Sequence, residues 1–232
     1  MSLPKIQTPS FSVVIPSLQK EVKFRPFLVK EEKILLLAQN SGGKDEIEAL
    51  IQIINNCCLE DIDVEGLTTF DVEYIFLKLR ARSVNNIVKL KYRDTEDEKV
   101  YDFEVNLDEI EIKTSETNEK KIQINDDVGL MMKHPNVKIS QQVANIENEV
   151  ELLNNILVHC IDYIYDKENV YPAKESTHEE LIDFLENLDT KTFKKIEEFF
   201  LTMPKLYHEL HYKNSLDHDR VIKLESIQDF FT

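Results

Sequence analysis

Apolar residues recur at steps of three and four along residues 24–86, and this spacing predicts three consecutive helices. The first helix is expected at about Lys30–Asn40, because Ser41-Gly42-Gly43 supplies the glycine that commonly follows a helix end. The second helix is expected at about Asp45–Leu59. The third is expected to begin after Thr68, which forms a capping box with Asp71. We therefore predict an N-terminal three-helix unit over residues 24–86.

From Ile87 onward the pattern changes to an alternation of apolar and charged residues, which is typical of half-buried strands. Two alternating segments, Ile87–Tyr92 and Val100–Val105, flank a charged turn and predict a β-hairpin. Shorter strands are predicted at Glu109–Lys113, Lys121–Ile124 and Val137–Ile139. Residues 87–140 are therefore expected to form a small antiparallel sheet, inserted between helical regions.

Helical spacing returns in the C-terminal part, at about Ile146–Tyr165, Thr177–Leu188 and Lys191–Met203. Alternating segments at Lys205–Tyr212 and Arg220–Glu225 then predict a C-terminal β-hairpin. Residues 141–232 are thus expected to contain the C-terminal helices and this hairpin, whereas the prolines of residues 1–23 predict an extended N-terminal arm. The predicted fold class is α+β and mainly helical, with residues 24–232 forming one compact globular unit.

Composition and charge narrow the classes of function. The chain has 232 residues, 42% of them hydrophobic and 31% charged, so it is long enough to bury a core. Its net charge of −16 opposes binding to nucleic acid, since contacts to phosphates depend on Lys and Arg. The longest purely apolar run, Ile34–Ala38, is too short to span a membrane. Three cysteines, a sparse and odd set, are typical of a reducing compartment. We therefore expect an acidic protein that binds neither nucleic acid nor membrane.

The cysteines and histidines of the chain are not spaced as catalytic or metal-binding groups. Cys160 follows His159, but adjacent residues of a helix point in different directions and cannot pair as nucleophile and base. His208 and His211 lie in the predicted C-terminal hairpin near His218, but three-residue spacing on a strand places them on opposite sides. No cysteine pair accompanies these histidines, whereas structural zinc sites generally use several thiolates. We therefore expect no catalytic residue, no metal site and no cofactor.

Both ends of the chain resemble a known family. The stretches FRPFLVKEEKILLLA and NNCCLEDIDVEGLTTFDVEYIFLKLRARSV near the N-terminus, and FFLTMPKLYHELHY and DRVIKLESIQDFF near the C-terminus, resemble the baseplate hub assembly family of T-even-type contractile-tailed bacteriophages. The most specific parts are Arg25-Pro26-Phe27, Lys30-Glu31-Glu32-Lys33 and the run from Phe70 to Ala81. Relatives commonly carry a cysteine pair in the C-terminal hairpin turn, where this chain has Lys213–His218. A knuckle-like metal site is therefore expected to be lost here.

The resemblance implies a non-enzymatic hub assembly protein that binds other baseplate hub proteins in the host cell cytoplasm. One alternative is a structural hub subunit that is retained in the tail baseplate of the virion. A tail-tip hydrolase is a third, which the lack of paired catalytic groups disfavours. The binding surfaces are expected on the N-terminal arm, the first predicted helix and the C-terminal tail. The candidate partner-binding residues, each with the alternative of being plain core or solvated surface, are Arg25, Phe27, Lys30, Glu31, Glu32, Phe230 and Phe231.

Overall fold

A computed structural model describes residues 8–38 and 44–230 of the chain. These residues fall into two compact units. The first unit combines the residues up to Lys113 with those from Lys205 onward, and the second comprises Thr114–Pro204. The first unit is therefore discontinuous in sequence, because the second is inserted between Lys113 and Lys205.

Helices and strands both contribute substantially to the described residues. The helices are α1 Val29–Ala38, α2 Lys44–Cys57, α3 Thr69–Ser83, α4 Val137–Val143, α5 Glu149–His159, α6 His178–Glu186 and α7 Thr190–Leu201. The strands are β1 Phe11–Ile15, β2 Lys20–Phe24, β3 Ile87–Arg93, β4 Val100–Asn106, β5 Glu111–Lys113, β6 Lys121–Gln123, β7 Gly129–Met132, β8 Ile161–Tyr165, β9 Val170–Pro172, β10 Lys205–Lys213 and β11 Asp219–Leu224. Short 3-10 turns lie at Leu107–Glu109, Ala173–Glu175 and Ile227–Phe230.

The prediction of a mainly helical fold is wrong. Helices account for 40% and strands for 28% of the structure, which is a mixed α+β fold. The strands lie in four separate sheets, with the orders β1-β2, β3-β4, β5-β10-β11 and β6-β7-β8-β9. The excess of predicted helix arises because several strands have only three to five residues, too few for alternation to stand out against a helical pattern.

Helix α3 is the central element of the first unit, and the capping box predicted for it is present. The Thr68 hydroxyl accepts a hydrogen bond from the Asp71 amide, and the Asp71 carboxylate accepts one from the Thr68 amide at 3.2 Å. The buried Asp71 also accepts hydrogen bonds from the amide and hydroxyl of Ser17, which fix the β1–β2 turn to the start of α3. Farther along α3, the Lys78 ammonium donates to the carbonyls of Leu107, Asp108 and Ile110.

Residues 11–24, within the predicted N-terminal arm and just beyond it, form an antiparallel hairpin. Strand β1 pairs with β2 from Phe11 opposite Phe24 to Ile15 opposite Lys20. Val13, Ile15, Val22 and Phe24 alternate along the two strands and are buried. Alternating burial is expected where one face of a hairpin packs on a core. This part of the chain therefore contributes to the interior of the first unit.

Two further hairpins of the first unit lie close to their predicted positions. Strand β3 pairs with β4, and β10 pairs with β11, both in antiparallel registers. Strand β10 also pairs with β5. Strands from residues 87–140 therefore belong to three different sheets instead of one.

The second unit packs four helices with the sheet β6-β7-β8-β9 around one apolar cluster that includes Leu130, Ile161, Ile196 and Phe199. Two predicted elements differ here. The helix predicted over Ile146–Tyr165 ends at His159 and continues as strand β8, whose β-branched and aromatic residues pair with β7 and β9. The strand predicted at Val137–Ile139 is instead the first turn of α4, where the Asn136 side chain accepts a hydrogen bond from the Ile139 amide at 3.0 Å.

Candidate functional site

The most extensively bonded side chain among the candidate residues is Arg25, the first residue after β2. Its amide donates to the Cys57 carbonyl at 2.9 Å, beside the end of α2. Its guanidinium donates to both carboxylate oxygens of Glu31, with Nη2–Oε1 at 2.9 Å and Nη1–Oε2 at 3.3 Å. The same group donates to the carbonyls of Pro26 and Asn56. Arg25 therefore ties the connection between β2 and α1 to the end of α2.

Glu31 is fully buried, and its Oε2 also accepts a hydrogen bond from the Leu28 amide at 2.8 Å. Burial acts against the charged form of this carboxyl, but the hydrogen bonds from Arg25 and Leu28 and the charge of Arg25 outweigh it. The pKa of Glu31 therefore lies below its ordinary value of 4.5. The hydrogen bond between the two side chains also raises the pKa of Arg25. The two residues form an internal ion pair at neutral pH.

Phe27 lies on the interior side of the same segment. Its ring stacks on Phe76 with the ring centres 6.4 Å apart, and its amide donates to the Ser83 hydroxyl at 2.9 Å. Only 7% of the residue is exposed. Phe27 therefore fixes the β2–α1 connection on α3, as Arg25 fixes it on α2.

The outer side of this connection is the start of α1, where Leu28, Val29, Lys30 and Glu32 are exposed. We call these four residues the α1 surface patch. Val29 is 67% exposed, and the Lys30 side chain is 65% exposed with its ammonium 3.4 Å from Glu31 Oε1. The structure thus places Lys30 and Glu32 on the surface, and places Arg25, Phe27 and Glu31 beneath it.

The C-terminal candidates differ from the expected apolar tail. Phe230 lies in the 3-10 turn Ile227–Phe230 and is 1% exposed, so it belongs to the core of the first unit. Phe231 lies outside the described residues.

A second polar centre, which the sequence did not reveal, joins the β3–β4 turn to the β10–β11 turn. Asp94 is fully buried and accepts hydrogen bonds from the Tyr212 hydroxyl and, at 3.1 Å, from Arg220 Nε. Glu96 accepts from the Asn214 amide group at 2.7 Å and contacts His218 Nδ1 at 2.8 Å. We call this set of contacts, between residues 94–97 and 212–220, the turn clamp. The turn clamp includes the Lys213–His218 turn, where the family resemblance predicts that a knuckle-like metal site has been lost.

The turn clamp shifts the acidity of its buried groups. The hydrogen bond from Tyr212 lowers the pKa of Asp94, with help from the amides of Glu96 and Asp97 and from the Arg220 charge. Burial and the hydrogen bond to Asp94 raise the pKa of Tyr212 to about 12. Asp94 is therefore ionised and Tyr212 protonated at neutral pH, which is the pair of states that their hydrogen bond requires.

The cysteines do not have the properties of reactive nucleophiles. Cys57, Cys58 and Cys160 are free thiols. Burial raises the pKa of Cys57 to about 11 and that of Cys160 to about 12, so both remain protonated at neutral pH. Within residues 8–38 and 44–230, we find no group of three or more His, Cys, Asp and Glu residues arranged to hold a metal ion. None of the helices in the described ranges has the length and apolar character needed to cross a membrane.

Both polar centres hold elements of the fold together, so the residues that form them serve the stability of the first unit. Comparison with known families shows the class of protein to which the chain belongs. Residues 8–232 match the family model described as T4 bacteriophage base plate protein. The chain therefore belongs to this family, and it is a phage protein with a structural role in the tail baseplate. No curated protein and no solved structure shows a significant match.

Proposed function

We propose that this baseplate protein is a non-enzymatic hub assembly protein, which binds other hub components while the baseplate is built in the host cytoplasm. The observation that carries the proposal is the family match over residues 8–232, which includes almost the whole chain. The resemblance of the segments around Arg25-Pro26-Phe27 and Phe70–Ala81 to hub assembly proteins supports the narrower assignment. Such a role depends on exposed surfaces that recognise partners.

A second candidate is a hub subunit that is retained in the finished virion. It is favoured by the family description, which names the base plate itself. The two candidates differ in whether the chain leaves after assembly, and both require binding to other baseplate components.

We propose the α1 surface patch as one partner-binding surface. Lys30 and Glu32 are available to a partner, next to the exposed apolar side chains of Leu28 and Val29. Protein interfaces combine an apolar centre with a polar rim, so in this proposal Leu28 and Val29 form the centre of the contact and Lys30 and Glu32 its rim. In this proposal Arg25, Phe27 and Glu31 act through the patch, because they fix the segment that presents it. Phe230 supports the fold from the core, and a binding role for Phe231 stays a prediction.

The experiment exchanges the charges of the patch in the double variant Lys30→Glu, Glu32→Lys. Binding is measured by calorimetry with purified hub proteins of the same phage. The matched control exchanges an exposed pair of the same residue types, Lys89→Glu with Glu104→Lys, which lies on the β3–β4 hairpin. We expect the patch variant to bind at least about tenfold more weakly, a loss of roughly 1.4 kcal/mol. The control should bind as the unchanged protein does.

Retained folding of both variants is checked by circular dichroism and denaturation, and Val29→Ser provides a third variant that leaves the charges intact. Equal affinity of all variants would remove the patch from the interface. Failure of the unchanged chain to bind any hub protein would contradict the hub assignment itself.

A further inference from the structure

Two histidines of the second unit lie side by side where the end of α5 meets the start of α6. His159 is the last residue of α5, and His178 is the first residue of α6. Their ring centres are 6.4 Å apart, and the planes of the two rings are inclined at 51°. His159 is half-buried and His178 is exposed. The fold therefore brings together, at the surface, two imidazole rings that are distant in sequence.

The hydrogen bonding of His159 determines which of its ring nitrogens is free. Its Nδ1 lies 2.7 Å from the carbonyl oxygen of Asn155, one helical turn earlier. A carbonyl oxygen only accepts hydrogen bonds, so Nδ1 carries the proton and donates it. The Nε2 of the neutral ring therefore keeps a free lone pair. A histidine that binds a metal ion generally has this arrangement, with its other ring nitrogen donating to a carbonyl or carboxylate.

His178 is free to complete a pair of ligands. Within the described ranges, its side chain has no hydrogen bond or ion pair, so both of its ring nitrogens are available. Two imidazole rings bound to one metal ion through bonds of about 2.0 Å have their centres roughly 5 to 6.5 Å apart, depending on the angle at the metal. The observed separation of 6.4 Å lies within this range. A rotation of the exposed His178 side chain is therefore sufficient to direct both rings at one ion.

The two helix ends determine the local field at this pair. His159 lies at the carbonyl end of α5, where the helix dipole favours a cation. His178 lies at the amide end of α6, which has the opposite effect, but Glu179 and Glu180 in the same turn offset it. The Glu180 carboxylate accepts hydrogen bonds from the amide and hydroxyl of Thr177 at 2.7 and 3.0 Å, so it stays in the capping box. Binding of a cation must therefore come from the two rings.

Imidazole ligands select the kind of metal ion. Neutral imidazole binds Cu²⁺, Ni²⁺ and Zn²⁺ well, whereas Mg²⁺ and Ca²⁺ prefer oxygen ligands. Among the divalent first-row ions, Cu²⁺ generally binds a given set of nitrogen ligands most tightly. Two rings fill two coordination positions and leave the others to water, because the described residues contain no group of three or more His, Cys, Asp and Glu side chains placed to hold a metal. The pair therefore favours Cu²⁺ over Zn²⁺, and both over Mg²⁺.

We propose that His159 and His178 form a binding site for a divalent transition-metal ion, with one nitrogen of each ring as a ligand and water in the remaining positions. The bound ion joins the end of α5 to the start of α6 and so stabilises the second unit. The site shares no residue with the α1 surface patch or the turn clamp. The inference goes beyond the proposed function and does not depend on it.

The test titrates the full chain with Cu²⁺ in an isothermal calorimeter. The variant His159→Gln with His178→Gln should weaken Cu²⁺ binding at least about tenfold. The matched control, His208→Gln with His211→Gln, also removes two histidines, but these lie on opposite sides of β10. The control should change the affinity less than about threefold.

Two further measurements identify the ligands directly. Addition of Zn²⁺ should shift the ring signals of His159 and His178 in the NMR spectrum, while an equal concentration of Mg²⁺ should leave them unchanged. Zn²⁺ should also raise the melting temperature of the unchanged chain more than that of the double variant, because an ion that binds the folded state stabilises it. His178→Gln alone alters an exposed side chain, so its fold is retained, and it should lose the Zn²⁺-induced shift of His159.

Several results would overturn the proposal. Unchanged Cu²⁺ affinity in the variant that lacks both His159 and His178, or an equal loss in the His208 and His211 control, would place the ion elsewhere on the chain. A Zn²⁺-induced shift of the His159 ring that persists in His178→Gln would show that the two rings do not bind one ion. Equal effects of Mg²⁺ and Zn²⁺ would show that the response reflects general ionic strength.

Discussion

Glu31 is a charged residue without access to solvent, so its charge must be compensated by its ion-pair partner, Arg25. Removal of one member of a buried ion pair leaves the other charge uncompensated. The Arg25 guanidinium would be left facing a neutral group, although it would keep its hydrogen bonds to Pro26 and Asn56. Arg25 and Glu31 therefore stabilise the fold only when both are present.

We predict that Glu31→Gln lowers the free energy of unfolding by about 3 kcal/mol at pH 7, because it leaves Arg25 as an unpaired charge. The pKa of Glu31 is lowered in the fold, so its stabilisation is present above pH 4.5 and is lost as the pH falls further. Urea denaturation at pH 7 and at pH 3 measures both effects, and the difference between variant and unchanged chain should shrink at pH 3. The control Glu104→Gln breaks an exposed pair with Lys89 and should cost less than about 1 kcal/mol. Equal losses in the two variants would contradict a structural role for the buried pair.

Glu73 of α3 shows the opposite behaviour. Burial raises its pKa to about 7, the charge of Asp229 adds to the rise, and a hydrogen bond from the Ile227 backbone opposes it. Between pH 4.5 and about 7 the folded chain therefore binds more protons than the unfolded chain, and stability falls as the pH rises through this range.

We predict that Glu73→Gln stabilises the protein at pH 8 by up to about 3 kcal/mol, because the amide cannot ionise in this half-buried position. At pH 4.5 the same variant should differ little from the unchanged chain, whose carboxyl is then protonated. Thermal unfolding at the two pH values provides the comparison. A gain of equal size at both would show that ionisation is not its cause.

At the scale of elements, the β3–β4 and β10–β11 hairpins are held together by side-chain contacts between residues that are far apart in sequence. The turn clamp joins Asp94 to Arg220 and Glu96 to His218, residues more than one hundred positions apart. We predict that Asp94→Ala lowers the melting temperature by several degrees, because the hydroxyl of Tyr212 and the Arg220 side chain lose a buried acceptor. It should also speed amide exchange in β11. Asp102→Ala, on the exposed face of the same hairpin, is the control and should leave both quantities almost unchanged. A clamp variant as stable as the control would show that the turns are held by other contacts.

The sequence predicts elements whose signals are local, and it does not predict contacts between residues that are far apart in the chain. The helix starts at Thr68 and Thr177 were predictable because a capping box is contained within four residues. The β3–β4 and β10–β11 hairpins were predictable because their alternation is long enough to be recognised. Strands β7 and β9 were missed because three or four residues carry too little pattern. The turn clamp could not be predicted, since no local pattern indicates which charged turns meet in the fold.

At the scale of the whole chain, the division into two units has a direct consequence. The apolar cluster of the second unit draws all its buried members from residues 122–199. We predict that a fragment of residues 114–204 folds on its own, because it contains that cluster and all four strands of its sheet. Heteronuclear NMR of the fragment should give dispersed signals that overlay those of the same residues in the full chain. Collapsed, undispersed signals would show that the second unit depends on the rest of the protein.

We propose that this protein takes part in building the phage baseplate by binding its other components. Quantitative mass spectrometry of baseplate intermediates from infected cells, alongside purified virions, tests it most directly. We predict that the chain is found in the intermediates at a fixed ratio to hub proteins. Its further presence in virions would identify a retained subunit, and its loss from them an assembly protein. Absence from both the intermediates and the virions, while the chain is abundant in the lysate, would contradict the claim.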